Sequence, residues 1–148
     1  MTALLCYDGS AAARRAIETA ARIVAAREAV GLTVWTPAAA MTPLDPIGDA
    51  VGGLSGIYAE LDSAGERMAA VRADEGVRLA GEAGLDAHAR TQQGHAWSTI
   101  LDVAAEVQAT VIVLGARGHS AAGALMGSVS ERVARHSGRP VLIVPGAT

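Results

Sequence analysis

The sequence predicts an α/β fold, a doubly wound, five-stranded parallel sheet with helices on both faces in the Rossmann-like manner. Three observations carry this expectation. Short apolar runs of strand length recur at Ala3 to Tyr7, Val30 to Trp35, Leu85 to Thr91, Thr110 to Leu114 and Val141 to Val144. Four segments with helical apolar spacing separate them, so strand and helix alternate along the chain. The first strand–helix–strand unit is complete by Trp35, and that spacing makes its two strands parallel.

Each element has its own signal. Ala3 to Tyr7 ends at Asp8-Gly9-Ser10, a turn whose serine can cap a helix bearing Ala13, Ile17, Ala20, Ala21 and Val24. The second strand stops at Thr36-Pro37. From Pro37 to about Gly56 the prolines and glycines are too dense for a stable element, which predicts a long loop. Helical character returns near Ile57 and runs to about Ala83, with Leu61, Ala64, Met68 and Val71 on one face and Gly84 as its stop. Leu85 to Thr91 alternates in the manner of a half-exposed strand near the sheet edge. A helix from about Ser98 to Val107 turns Ile100, Val103 and Ala104 inward. Thr110 to Leu114 is strongly β-branched, as a central strand buried on both faces should be. A glycine-rich stretch follows, then a helix from Ser128 to about His136 and a last strand, Val141 to Val144.

Composition bounds the function. With 148 residues, 51% apolar and 18% charged, the chain suits one domain spanning residues 1–148. A net charge of −3 without a block of like charges argues against general nucleic-acid binding. The single cysteine, Cys6, cannot form an internal disulfide and reads as a small hydrophobe in a reducing compartment. No targeting segment and no bilayer-spanning run is evident, so a soluble cytoplasmic protein is expected.

The chemistry concentrates after the fourth strand, in Gly115-Ala-Arg117-Gly118 and, further on, Gly127-Ser128-Val129-Ser-Glu131. Gly115 and Gly118 allow backbone amides to approach a ligand closely. Gly127-Ser128 opens a helix whose first amides lack helical partners, an anion site at the favourable end of the helix dipole. Ser128 with Glu131 also fits a capping box, which needs no ligand. Following a central strand and opposite Asp8, the combination favours a phosphate site. Arg117 reads equally as compensation for phosphate charge or as a solvated loop arginine.

Other chemistries lack their residues. All twelve basic residues are arginine, so a Walker-type lysine is missing. Gly118-His119-Ser120-Ala121-Ala122 fails as a nucleophile elbow, because position 122 is alanine and the strand–turn–helix setting is absent. His88, His95 and His136 fall on separate elements without ligand spacing. Asp62, Asp74 and Glu75 read as a solvated helix face, so no enzyme is expected.

The motifs resemble those of the universal stress protein family over nearly the whole length. Tyr7-Asp8-Gly9-Ser10 is similar to the family's opening turn. Gly115, Gly118 and Gly127-Ser128 are similar to the Gly-x2-Gly-x9-Gly-Ser/Thr of its ATP-binding members, and Pro140 to Val144 to its closing strand. The resemblance implies an adenine nucleotide alpha hydrolase-like fold and a stress-response regulator that binds ATP, with magnesium. Gly115 and Gly118 would line the ribose and phosphates; Gly127, Ser128 and Val129 would hold the phosphates; Asp8 would sit beside the nucleoside. It also implies a homodimer formed through the last strand. Two departures stand out: Gly118 and Gly127 enclose eight residues instead of nine, and Pro37 (Thr36 if shifted by one) falls where family members offer a backbone N–H to the adenine edge. They support the alternative, a dimeric interaction module of the same fold without nucleotide.

Overall fold

A computed structural model describes residues 1–41, 54–116 and 126–146. In chain order it contains β1 (Thr2–Cys6), α1 (Ala11–Ile23), β2 (Glu28–Trp35), α2 (Ala38–Met41), α3 (Leu54–Glu82), β3 (Asp86–Gln93), α4 (Ala96–Glu106), β4 (Val111–Gly115), α5 (Ser128–His136) and β5 (Val141–Val144). The sheet order is β3-β2-β1-β4-β5 and every neighbouring pair is parallel. The doubly wound sheet expected from the sequence is therefore present, with strand order reversing between β1 and β4.

Alternation along the central strands divides the core into two layers. Ala3, Leu5, Tyr7 and Val113 face α1 and the end of α3, against Ala13, Ile17, Leu79 and Ala80. Leu4, Leu32, Ile112 and Leu114 face α4 and α5, against Ile100, Val103, Ala104 and Val133. β4 is buried on both faces because its side chains feed both layers. β3 is an edge strand of mixed exposure, in keeping with its polar alternation.

The structure corrects the expected loop from Pro37 to Gly56 at both ends. Ala38–Met41 forms a helical turn, and α3 already begins at Leu54; residues 42–53 lie outside the described residues. Proline before the turn is compatible with it, and Asp62 accepts a hydrogen bond from the Ala38 N–H at 2.7 Å. Asp62 is thus a structural acceptor, not one of a row of solvated acids. Glu75 likewise pairs with Arg14 of α1 at 2.8 Å.

α3 tolerates its glycines because two of them are packing positions. A Cβ on Gly76 would stand 3.1 Å from Tyr7 Cβ, and one on Gly65 would stand 3.4 Å from the Trp35 ring. The face turned to the sheet carries Ala69, Ala73, Leu79 and Ala80. The stripe of Leu61, Met68 and Val71, read from the sequence as one apolar face, is exposed instead.

Candidate functional site

β1 and β4 are adjacent, with Leu5 opposite Val113. Continuing that register sets Tyr7 beside Gly115 and Asp8 beside Ala116, so both strands deliver their following turns to one place. In open parallel sheets the crevice beyond such a reversal point is where ligands bind.

The β1 side of the crevice is a tightly bonded turn. Asp8 Oδ1 accepts the Ser10 N–H at 2.9 Å, and Gly9 between them has φ 84°, a conformation that favours glycine. Ser10 then caps α1, its Oγ accepting the Ala13 N–H at 3.1 Å. Thr33, buried in β2, donates its hydroxyl to the Tyr7 carbonyl at 2.8 Å and holds the end of β1 in line. Cys6 is partly buried against the α4–α5 layer; burial, with the Asp8 carboxylate adding to it, pushes its thiol well above the usual range. It remains a protonated packing group, as the sequence suggested.

The β4 side is built around Ala116. Its N–H donates to the Val144 carbonyl at 2.8 Å, and its carbonyl accepts both the Gly127 N–H and the Ser130 hydroxyl, the latter at 2.7 Å. Ser130 also reaches the Gly127 carbonyl at 3.0 Å. These bonds pin the start of α5 to the end of β4. Gly127 is the N-cap and has no side chain to give, so the amides of Ser128, Val129 and Ser130 have no partner within the helix. Three N–H groups at the positive end of a helix form an anion site.

This arrangement corrects the capping box. Ser128 is the first residue of α5, not its cap, and its exposed side chain makes no capping bond; Glu131 pairs instead with Arg135 at 2.9 Å. The reason is helical phase: Ser130, three residues before buried Val133, is the serine that turns inward. That phase was readable in the sequence, yet Ser130, Thr33 and Asp62 were not singled out as structural ligands of the backbone.

Of the residues named from sequence, Asp8, Gly115, Gly127, Ser128 and Val129 lie around the ends of β1 and β4 and the start of α5. Gly115 has a packing reason for lacking a side chain, since a Cβ there would stand 2.7 Å from Ala13 N and 2.8 Å from Ala12 Cβ. The Gly127 amide is already committed to Ala116, and the Val129 side chain packs into the α4–α5 layer, leaving its backbone for a ligand. Arg117, Gly118, His119, Ser120 and Gly123 lie outside the described residues. Trp35 packs over Gly65, and Trp97 lies against the His136 ring at 5.4 Å with Arg132 over it.

Where the resemblance implies an adenine-edge contact, Pro37 has no N–H and that of Ala38 is held by Asp62. Among the described residues no group of three or more His, Cys, Asp or Glu is placed to hold a metal ion. No helix among them is long and apolar enough to cross a membrane. The described residues of the site offer backbone donors that suit a phosphate group.

The model of the universal stress protein family matches residues 1–145. No curated protein matches the sequence. Among solved structures, the chain is similar to universal stress protein UspA from Lactobacillus plantarum, with 22% identity, TM-score 0.76 and 97% of each chain covered. A universal stress protein in complex with cAMP is 29% identical with TM-score 0.65, covering 99% of this chain and 98% of that one. A family protein from Arabidopsis thaliana with AMP bound is 14% identical with TM-score 0.62, covering 100% and 93%.

Proposed function

The chain belongs to the universal stress protein family, and from that premise we propose that it is a regulatory protein that binds an adenine nucleotide between the ends of β1 and β4. The single observation that carries this reading is the start of α5. Its first three amides, which have no partner within the helix, are held beside the end of β1 by the bonds that converge on Ala116. A phosphate group fits such donors without any lysine, because the amides and the helix dipole supply the positive potential. The cAMP complex of a relative 29% identical to this chain supports an adenine nucleotide as the ligand class.

Within that class we assign ATP, accompanied by magnesium, with the phosphates at Ser128 and Val129 and the nucleoside toward Asp8. Binding would stabilise one conformation for partners to sense, in the cytoplasm and without a dedicated hydrolytic base. β5 is an apolar edge strand, paired among the described residues with β4 alone, and it suits pairing with a second copy.

One observation favours the rival reading of a nucleotide-free interaction module. With Pro37 lacking an N–H and Ala38 committed to Asp62, base recognition through this backbone is weakened. Thermal unfolding with ATP and magnesium, against a GTP control, separates the two. Ligand at a hundred times its dissociation constant adds about 2.7 kcal/mol. At roughly 2–4 °C per kcal/mol for a chain of this size, the melting temperature should rise by several degrees with ATP. No rise with ATP would leave the interaction module as the account of the fold.

A further inference from the structure

The exposed flank of α3 has the spacing of a helix that packs on another helix. Ile57, Leu61, Ala64, Met68 and Val71 follow one another at intervals of four, three, four and three residues, the a/d repeat of a coiled-coil seam. The chain itself buries a different face, centred on Ala69, Ala73 and Ala80, about 140° round the helix. On the seam Ile57 is 52%, Leu61 53%, Met68 52% and Val71 64% exposed. Gly65 meets Trp35 at the end of β2, so the part of α3 before Gly65 runs past the strand ends and leaves the seam accessible.

We propose that a second copy of this chain covers the seam, α3 packing antiparallel on its counterpart about a two-fold axis near Leu61 and Ala64. The stripe is self-complementary in that register. Leu61 meets Ala64 of the other copy, Ile57 meets Met68, and symmetry repeats both contacts. The charges beside the seam select the direction. Glu60 and Arg67 are exposed, one heptad apart on the same flank, and have no ion-pair partner among the described residues. Antiparallel packing sets Glu60 across from Arg67 of the other copy, twice. Parallel packing would set Arg67 against Arg72, a like-charge contact. α3 lies over β2 and β3, at the far side of the sheet from β5, so this contact does not compete with pairing through the last strand.

Sedimentation equilibrium over a concentration series tests the contact, with circular dichroism as the check on folding. Leu61→Glu and Met68→Glu alter exposed side chains and should leave the fold intact while halving the mass of the assembly. The halving runs from tetramer to dimer if β5 also pairs, and from dimer to monomer if it does not. Glu60→Arg and Arg67→Glu should each weaken association by about tenfold, and the double exchange should restore it. A wild-type chain that stays monomeric, an unchanged mass in both glutamate variants, or failure of the double exchange to restore association would each overturn the proposal.

Discussion

Ser128 and Ser130 stand two positions apart in the first turn of α5 and do opposite things. Ser130 is buried and spends its hydroxyl on the carbonyls of Ala116 and Gly127, which fixes where the helix starts. Ser128 is exposed and unengaged as a cap, so its position faces whatever occupies the anion site. The substitution Ser128→Asp separates helix stability from ligand binding. A carboxylate in the first turn interacts favourably with the helix dipole and should add about 0.3–1 kcal/mol to the free protein. The same carboxylate repels phosphate. Unfolding should therefore show an unchanged or slightly raised melting temperature without ligand and no further rise with ATP. A variant that keeps the full ATP response would remove the start of α5 from the site. Legibility differs residue by residue here. The motif located the turn, while the identity of the capping and pinning groups depended on helical phase and on contacts between segments far apart in sequence.

At the scale of elements, strands were more legible than helix faces. The runs at β1 and β4 are apolar because both sides of a central parallel strand are covered, and composition alone reports that. α3 misled for the opposite reason. It packs on the sheet largely through alanines and glycines, whose small side chains let the helix approach closely, and it exposes Ile57, Leu61, Met68 and Val71. Side-chain size then points away from the core. Gly76 and Gly81 make this testable within one helix. Gly81 is exposed and a Cβ there meets nothing within 4 Å, whereas one on Gly76 meets Tyr7 Cβ at 3.1 Å. Urea unfolding of Gly81→Ala should show about 0.5 kcal/mol of added stability from reduced chain entropy. Gly76→Ala should lose about 1 kcal/mol or more, because overpacking against Tyr7 outweighs the gain in helix propensity. Equal gains at both sites would mean that α3 does not sit as closely on the sheet as the glycines imply.

For the molecule as a whole, the two core layers meet at β1, and Cys6 and Tyr7 at its carboxyl end couple ionisation to folding. The Cys6 thiol is pushed up by burial and by the Asp8 carboxylate. The Tyr7 phenol, buried between α1 and α3, is pushed up by burial and by Glu75, with Arg14 opposing. Both are held neutral in the folded chain at a pH where the unfolded chain releases the proton. Above the ordinary thiol value of 9.0 and then the ordinary phenol value of 10.0, the unfolded state binds fewer protons than the folded one. Stability therefore falls as pH rises through that range, having been fully present below it. Melting temperatures measured from pH 7 to pH 11 should be level at first and then decline beyond about pH 9. Cys6→Ala should remove the earlier part of the decline and leave the later part, which belongs to Tyr7. An alkaline profile identical in the variant would mean that the thiol is not protected by the fold. The central strand would then be more open to water at its carboxyl end than its packing indicates, and the crevice beside Asp8 correspondingly less able to exclude solvent from a bound nucleoside.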